Sequence, residues 1–313
     1  MTEWLAPPHA ALALLVFAAL WLTAQPLVRA LHLGLRQRLL ALAPASRQRV
    51  LLGLALGPVL VAGLVLFVMF SGLGEGHVLI AHCHAGDVCG AHLPVVGLNL
   101  LMFLVTLGLS ALLGWRLQAA LKRFRLSGEA LARAAEPVAS GYWRLPCEQA
   151  LALCVGLIHP RAYLSSGLIA ALSDQERDIV LAHELQHVRA RDNLRLLLVD
   201  LVMGPRWGRA LRADLYLAAE LRADQAAVDR GHRPADVAAT LVHVCRLTRK
   251  AATPNLAFAR HGVEARVAAL LQPPPAPPAA WPWGLGLTGA VIGLSLALIS
   301  PVHLLLEWLF GLL

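Results

Sequence analysis

The residues best suited to chemistry are His183-Glu184-Leu185-Gln186-His187, an HExxH pattern inside a strongly helical stretch. Two histidines four apart on a helix lie one turn above each other on the same face. That spacing lets two imidazole nitrogens meet one tetrahedral Zn²⁺ at about 2.0–2.1 Å. Glu184, beside the first histidine, can then take a proton from water held at the ion. A catalytic zinc site usually has three protein ligands plus water, so a third ligand must come from another element. The candidate is Glu220, in Ala219-Glu220-Leu221-Arg222-Ala223-Asp224. Asp224 lies four residues on and shares its helix face. One carboxylate can bind the metal while the other accepts a hydrogen bond from the free ring nitrogen of a ligand histidine. The plainer reading of Glu220 and Asp224 is a solvated helix face, since Arg222 sits between them. For the HExxH stretch the plainer reading is a surface helix, but the apolar Ile179-Val180-Leu181-Ala182 before it argues for one buried side. A buried Glu184 then needs a polar partner.

The elements that must position these residues fall within 116–271. A polar helical run over roughly 116–136, containing Glu129 and Arg133, stops before Pro137. Gly141–Pro146 reads as irregular or a short strand. Leu151–Ile158 is apolar, bounded by Pro146 and by His159-Pro160, and reads as a strand. Arg161–Ser166 reads as a second short strand. Ser173-Asp174-Gln175-Glu176 is a capping-box pattern that opens a helix running through the HExxH to about Asp192. A second long helix covers about 207–230 and stops at Gly231. A third covers about 235–250 after Pro234, and Glu264–Leu271 forms a short fourth. Gln272–Ala280 is a proline-rich linker that cannot be helical.

The composition places this domain in a membrane protein. Of 313 residues, 58% are hydrophobic and 15% charged, and the mean hydropathy is +0.63. An ordinary soluble domain is roughly 45–50% apolar and about 25% charged. Apolar runs cover about 10–28, 50–70, 94–115 and 283–306, each near the roughly 20 residues that cross a bilayer as a helix. Trp21, Trp115, Trp281, Trp283 and Trp308 lie near run ends, where interfacial aromatics belong. The first run is expected to be a span and not a signal peptide: Met1–His9 has no Lys or Arg, and no small-x-small cleavage site follows. The net charge of +8 would suggest nucleic acid in a soluble protein. Here the basic residues sit beside the spans, so topology explains them and no direct nucleic-acid partner is expected. Arg29, Arg36, Arg38, Arg47 and Arg49 lie between runs one and two, and Arg116, Lys122, Arg123 and Arg125 follow run three. Residues 71–93 hold no Lys or Arg. The positive-inside rule then puts the first connection and the 116–280 region in the cytoplasm, with both termini outside.

The residues also resemble a family. Pro160–Asn193, followed by Glu220-Leu-Arg-Ala-Asp224, is similar to membrane-embedded gluzincin peptidases. The nearest likeness is the M56 family, which includes the β-lactam sensor-transducers of staphylococci; the M48 membrane proteases are near relatives. Three spans, a cytoplasmic zinc domain and a fourth span resemble the M56 layout. The likeness is specific in the HExxH and ExxxD segments and loose in the spans. It implies a mainly α membrane protein of four transmembrane helices, with a cytoplasmic α+β zinc-peptidase domain inserted between spans three and four. The implied division is 1–115 for three spans, 116–271 for the peptidase, 272–280 for the linker and 281–313 for span four. By resemblance His183, His187 and Glu220 bind Zn²⁺, Glu184 is the general base, and Asp224 supports a ligand histidine. Arg161, Ala162, Tyr163, Leu164, Ser165 and Ser166 resemble the edge strand on which such enzymes lay an extended substrate. His261 and Arg266 resemble a later His…Arg element of the M48 relatives that stabilises the oxyanion; the spacing differs and Gly262 replaces the usual proline, so a structural role competes. The sensor-transducers carry a penicillin-binding domain after span four, and the sequence ends at Leu313, so β-lactam sensing is not expected.

The resemblance implies a bilayer-embedded protease of a bacterial-type inner membrane that cuts a protein or peptide, possibly a cytoplasmic transcriptional repressor in signalling. Two alternatives stay open: membrane-protein quality control, as in M48 relatives, and a non-proteolytic metal-sensing receptor whose zinc site is closed by a fourth protein ligand. A transporter is disfavoured, because the spans lack intramembrane charges. Residues 71–93 contain His77, His82, Cys83, His84, Asp87, Cys89 and His92. They read as an extracytoplasmic metal sensor or, more plainly, as a Cys83–Cys89 disulfide in an oxidising compartment. Cys147, Cys154 and Cys245 are expected reduced, with no motif that argues for catalysis.

Overall fold

The structure is a computed structural model that describes residues 7–71, 100–138, 140–249, 262–272 and 277–311. The chain forms two compact units. One comprises Met1–Arg36, Gly53–Arg116 and Ala280–Leu313; the other comprises Gln37–Leu52 and Leu117–Ala279.

The first unit is built on long helices: α1 (Pro7–Leu40), the greater part of α2 (Pro44–Ser71), the start of α3 (Leu100–Ala134) and α10 (Trp281–Gly311). Ala11, Leu12 and Val16 of α1 pack with Val61, Val65 and Met69 of α2 and with Ile299, Val302 and Leu306 of α10. Three helices are long and apolar enough to cross a membrane: Ala11–Leu40, Pro44–Met69 and Trp281–Leu306. Their outer faces carry exposed Leu27, Phe67, Leu285 and Ile292, a surface that suits lipid better than water. The expected span at 94–115 begins outside the described residues, as does nearly all of loop 71–93 with its cysteines and histidines. From Leu100 onward that span and the polar run 116–136 are one unbroken helix, α3. The arginines expected in a loop between the first two spans lie on helices instead. The connection is only 41–43, and Arg47 turns back to donate to the carbonyls of Leu40 and Leu42 at the end of α1.

The second unit places a small sheet beside helices. Its strands are β1 (Glu136–Val138), β2 (Tyr142–Leu145), β3 (Ala152–Val155) and β4 (Arg161–Ser165), in the order β1-β2-β4-β3. β2 runs parallel to β4, while β3 pairs antiparallel with β4, Cys154 opposite Ala162. β4 is therefore an inner strand, with both edges already hydrogen-bonded. This corrects the expectation that Arg161–Ser166 is a substrate edge: Tyr163, Leu164 and Ser165 are paired on both sides, Arg161 and Ala162 are paired with β3, and Ser166 already begins the short helix α4 (Ser166–Ala171). The open edge on that side is β3, among the described residues.

Five further helices complete the part that carries the motif. α5 (Asp174–Ala190) opens with the expected capping box: the Ser173 hydroxyl accepts from the Glu176 backbone, and the Glu176 carboxylate accepts from the Ser173 backbone. It ends at Arg191 in the left-handed region, φ 52°. Then comes α6 (Asp192–Trp207), a helix not anticipated from the sequence, and α7 (Arg209–Val228), which stops before Gly231 at φ 100°. α8 (Pro234–Arg249) and α9 (Val263–Leu271) follow near their expected positions. Ile179 and Ala182 of α5, Ala227 of α7, Val237 and Ala238 of α8 and Leu270 of α9 form one core. A second core joins Leu164 of β4, Leu168 of α4, Leu172 and Val180 of α5.

Gly167, in the first turn of α4, lies so close to the backbone of Glu148 that a Cβ would collide with its carbonyl. Overpacking of this kind costs about 1–3 kcal/mol. Gly167→Ala should lower the thermal unfolding midpoint of the purified chain in detergent, whereas alanine at Gly231, which touches nothing, should cost only its left-handed backbone strain.

Candidate metal centre

The site is set by how closely α5 approaches α7. Ala182 on α5 and Ala218, Ala219, Ala223 and Ala227 on α7 are all fully or almost fully buried, and α5 lies along α7. Alanine side chains keep the two backbones near each other, so longer side chains on the same faces meet across the gap. His183 and His187 reach from α5 and Glu220 from α7, and the three form a group able to hold a metal ion.

The distances fit that use. His183 Nε2 lies 3.1 Å from His187 Nε2. Glu220 places Oε2 3.4 Å from His183 Nε2 and Oε1 3.6 Å from His187 Nε2. Donors about 2.0–2.1 Å from a tetrahedral ion stand roughly 3.3 Å apart, so the two imidazole nitrogens and the Glu220 carboxylate are spaced close to the edges of such a tetrahedron. Each of the three side chains keeps a small exposed part, 15%, 12% and 10% for His183, His187 and Glu220, so the corner is not sealed.

Hydrogen bonding decides the tautomers. His183 Nδ1 is 3.0 Å from Asp224 Oδ1, and His187 Nδ1 is 2.8 Å from Asp192 Oδ2. An ionised carboxylate only accepts, so each Nδ1 carries the hydrogen and each Nε2 keeps its lone pair. Two lone pairs and a carboxylate oxygen thus converge on one point, an arrangement that calls for a cation. In its absence a proton takes part of that role. Burial opposes charging His183, but hydrogen bonds to Asp224 and Glu220 outweigh it and raise its pKa to about 10.

Arg266 from α9 closes the back of the site. Its guanidinium gives Nε and Nη2 to Asp224 at 2.7 and 2.6 Å and Nη1 to Glu220 Oε2 at 2.7 Å. Burial disfavours the Glu220 charge, yet Arg266 and the two histidines hold its carboxyl well below the usual range. Asp224 is lowered in the same sense: burial opposes its charge, but hydrogen bonds from Arg266 and His183 prevail. Arg266 is consumed by these two carboxylates, so its place is behind a metal ligand; the expected oxyanion role is replaced by a positioning one. His261 lies outside the described residues. Tyr216, one turn before Glu220, donates its hydroxyl to the same carboxylate, and burial pushes its own pKa up.

Glu184 is 8% exposed. Burial raises its pKa, the negative Glu220 adds to this, and the two histidines oppose it. It does not join the metal group, and among the described residues no fourth His, Cys, Asp or Glu completes that group. The edge strand β3 borders the same region: burial and the charges of Glu184 and Asp192 push the Cys154 thiol up to about 12. Cys147, Cys154 and Cys245 are all free thiols.

Asp192, Asn193, Arg195 and Gln48 were not singled out from the sequence. Asp192, five residues after His187, carried a signal in its distance from the motif. Asn193 donates to the carbonyls of Cys154 and Gly156 at 2.9 and 3.3 Å, pinning β3 to the start of α6.

A family model for Peptidase family M48 matches residues 129–206, about a quarter of the chain. The matched stretch runs from the end of α3 through the sheet and the HExxH helix and stops short of Glu220. It supports a relation to M48-type gluzincin metallopeptidases. No curated protein and no solved structure matches the chain.

A ligand histidine must give up its proton to hold a cation, so metal uptake near neutral pH should release a proton from His183 and tighten as pH rises. Calorimetric titration of the chelator-stripped chain with Zn²⁺, in buffers of different ionisation enthalpy, measures this; uptake with no proton released contradicts it.

Proposed function

We propose that this chain is a membrane-embedded zinc endopeptidase of the M56 type that cuts peptide bonds on the cytoplasmic side. The observation that carries the reading is the convergence of His183 Nε2, His187 Nε2 and the Glu220 carboxylate at ligand spacing, with Glu184 one residue from a ligand. Among the described residues the group has three protein donors, which fits a catalytic centre with a position left for solvent, whereas a structural zinc site takes four. That difference speaks against the non-proteolytic receptor. Apolar helices on both sides of the metal-bearing unit, α1 and α2 before it and α10 after, support the M56 arrangement.

A bound Zn²⁺ supplies a Lewis acid that polarises a carbonyl and acidifies water. The chain's own residues do the rest. Glu184 takes a proton from the attacking water as its oxygen bonds to the carbonyl carbon. It then gives that proton to the amide nitrogen as the C–N bond breaks. Burial raises the pKa of Glu184, which makes it the stronger base for this transfer. Asp224 and Asp192 fix the two histidine rings. Substrate main chain is laid along β3. The Ser165 N–H donates to the Leu151 carbonyl, so in the alternating antiparallel ladder the groups of Ala152 and Cys154 face outward. Asn193 takes the Cys154 carbonyl, leaving the N–H and C=O of Ala152 and the N–H of Cys154 for strand addition.

The substrate is a protein, either a cytoplasmic regulator cut in signalling or a damaged membrane protein. The M48 match favours the second, and the M56 likeness of the motif and span order favours the first. Both use one chemistry, which a single variant tests. Full-length chain in detergent micelles should cleave fluorescein-labelled casein, and Glu184→Gln should lose about 10²–10⁴-fold in rate while keeping its metal. A Gln variant that cleaves like the wild type overturns the assignment of the base.

A further inference from the structure

The peptidase residues do not build the metal site alone. Gln37–Leu52 belongs to the same compact unit as 117–279, and its Leu39, Leu42, Val50 and Leu51 are buried. From its middle, Gln48, 2% exposed, enters a polar node beside His187. Gln48 Nε2 donates to Asp192 Oδ1 at 3.0 Å. The other oxygen of Asp192 accepts from His187 Nδ1 at 2.8 Å. Gln48 Oε1 accepts from Arg195 Nη1 at 3.1 Å and from Arg222 Nη1 at 3.0 Å. Arg195 Nη1 also reaches Asp192 Oδ1 at 3.2 Å. Arg222 Nε and Nη2 also face the side-chain amide of Gln186, inside the HExxH itself, whose oxygen accepts from both when the amide is turned towards the guanidinium.

The orientation of Gln48 is forced. Two guanidinium groups can only donate, so its carbonyl faces them; a carboxylate can only accept, so its amide N–H faces Asp192. We infer that Gln48 is a positioning residue for the metal ligand His187, acting through Asp192, so that the first turns of α2 are a working part of the metal centre. The inference rests on the metal reading above. Its physical content is that Asp192 fixes the ring of His187 only while its own carboxylate is fixed. Arg195 alone meets one oxygen of that carboxylate from a partly exposed side chain, 27%. Gln48 holds the same oxygen from a buried position and ties it to Arg195 and Arg222. Partners of this kind typically change metal affinity by about 10–100-fold. Because α2 runs unbroken from Pro44 to Ser71, the contact belongs to the same helix as an apolar stretch long enough to cross a membrane.

The test uses the full chain in detergent, stripped with a chelator and titrated with Co²⁺, well below the thermal midpoint of each protein. Gln48→Met keeps the length of the side chain and removes the amide. It should weaken Co²⁺ binding about 10–100-fold and alter the visible Co²⁺ absorption bands, which report ligand geometry. Asp192→Asn, which keeps the shape and removes the charge, should move affinity and spectrum in the same direction and decides the matter if Gln48→Met does not fold. The exposed Arg233→Ala serves as the control. Wild-type affinity and wild-type bands in folded Gln48→Met overturn the role of Gln48, and the same result in Asp192→Asn overturns the route through Asp192. A wild-type chain that takes up no Co²⁺ overturns the metal reading itself.

Discussion

Three potential metal donors share one corner between α5 and α7. The Nε2 lone pairs of His183 and His187 and the Glu220 carboxylate stand within 3.1–3.6 Å of each other. Nothing about helix packing alone would hold them there. The alanines lining α5 and α7 bring the backbones close, and the carboxylates behind the rings hold the rings in place. Arg266 offsets the negative charge of Glu220 and Asp224 from the far side. An isolated buried carboxylate is costly, and here Glu220, Asp224 and Asp192 each have at least two partners. Three donors at this spacing could hold a cation, and the other features of the unit keep them in place.

The support of the two histidines is asymmetric. His183 is backed by Asp224, which is gripped bidentately by Arg266 from α9. His187 is backed by Asp192, which leans on Gln48 and Arg195. One ligand is thus tied to the C-terminal end of the unit and the other to a segment more than a hundred residues before the motif. Arg191, in the left-handed region between α5 and α6, makes the sharp turn that lets Asp192 fold back on His187. The next residue, Asn193, reaches β3. A single turn therefore aligns a metal ligand and the open strand edge.

The local parts of this site could be read from the sequence, and the non-local parts could not. His183 with His187, and Glu220 with Asp224, follow from four-residue spacing on helices, and Ser173 with Glu176 from a capping box. Gly231 marked the end of α7. Arg161–Ser166 is legible as a short strand, but a segment does not say which strands flank it; the edge role rests on the family resemblance alone, and β4 is an inner strand. α6 escaped because no side chain caps its start: the motif helix was expected to end near Asp192, and the stretch up to 207 carried no helix-start signal. Gln48 carried no signal at all: its meaning lies in contacts 144 residues away in sequence. Likewise the basic residues near 36–49 suggested a loop, but arginine is a good helix former, and they sit on α1 and α2.

Metal content tests the central claim most directly. Elemental analysis of the full-length chain purified in detergent without added metal, alongside His183→Ala and Glu220→Gln, should find about one transition-metal ion per wild-type chain, the complement of one three-donor site with solvent at the remaining position, and little in either variant. A wild-type chain free of metal contradicts the account. So does metal retained in full by both variants, which would place the ion elsewhere.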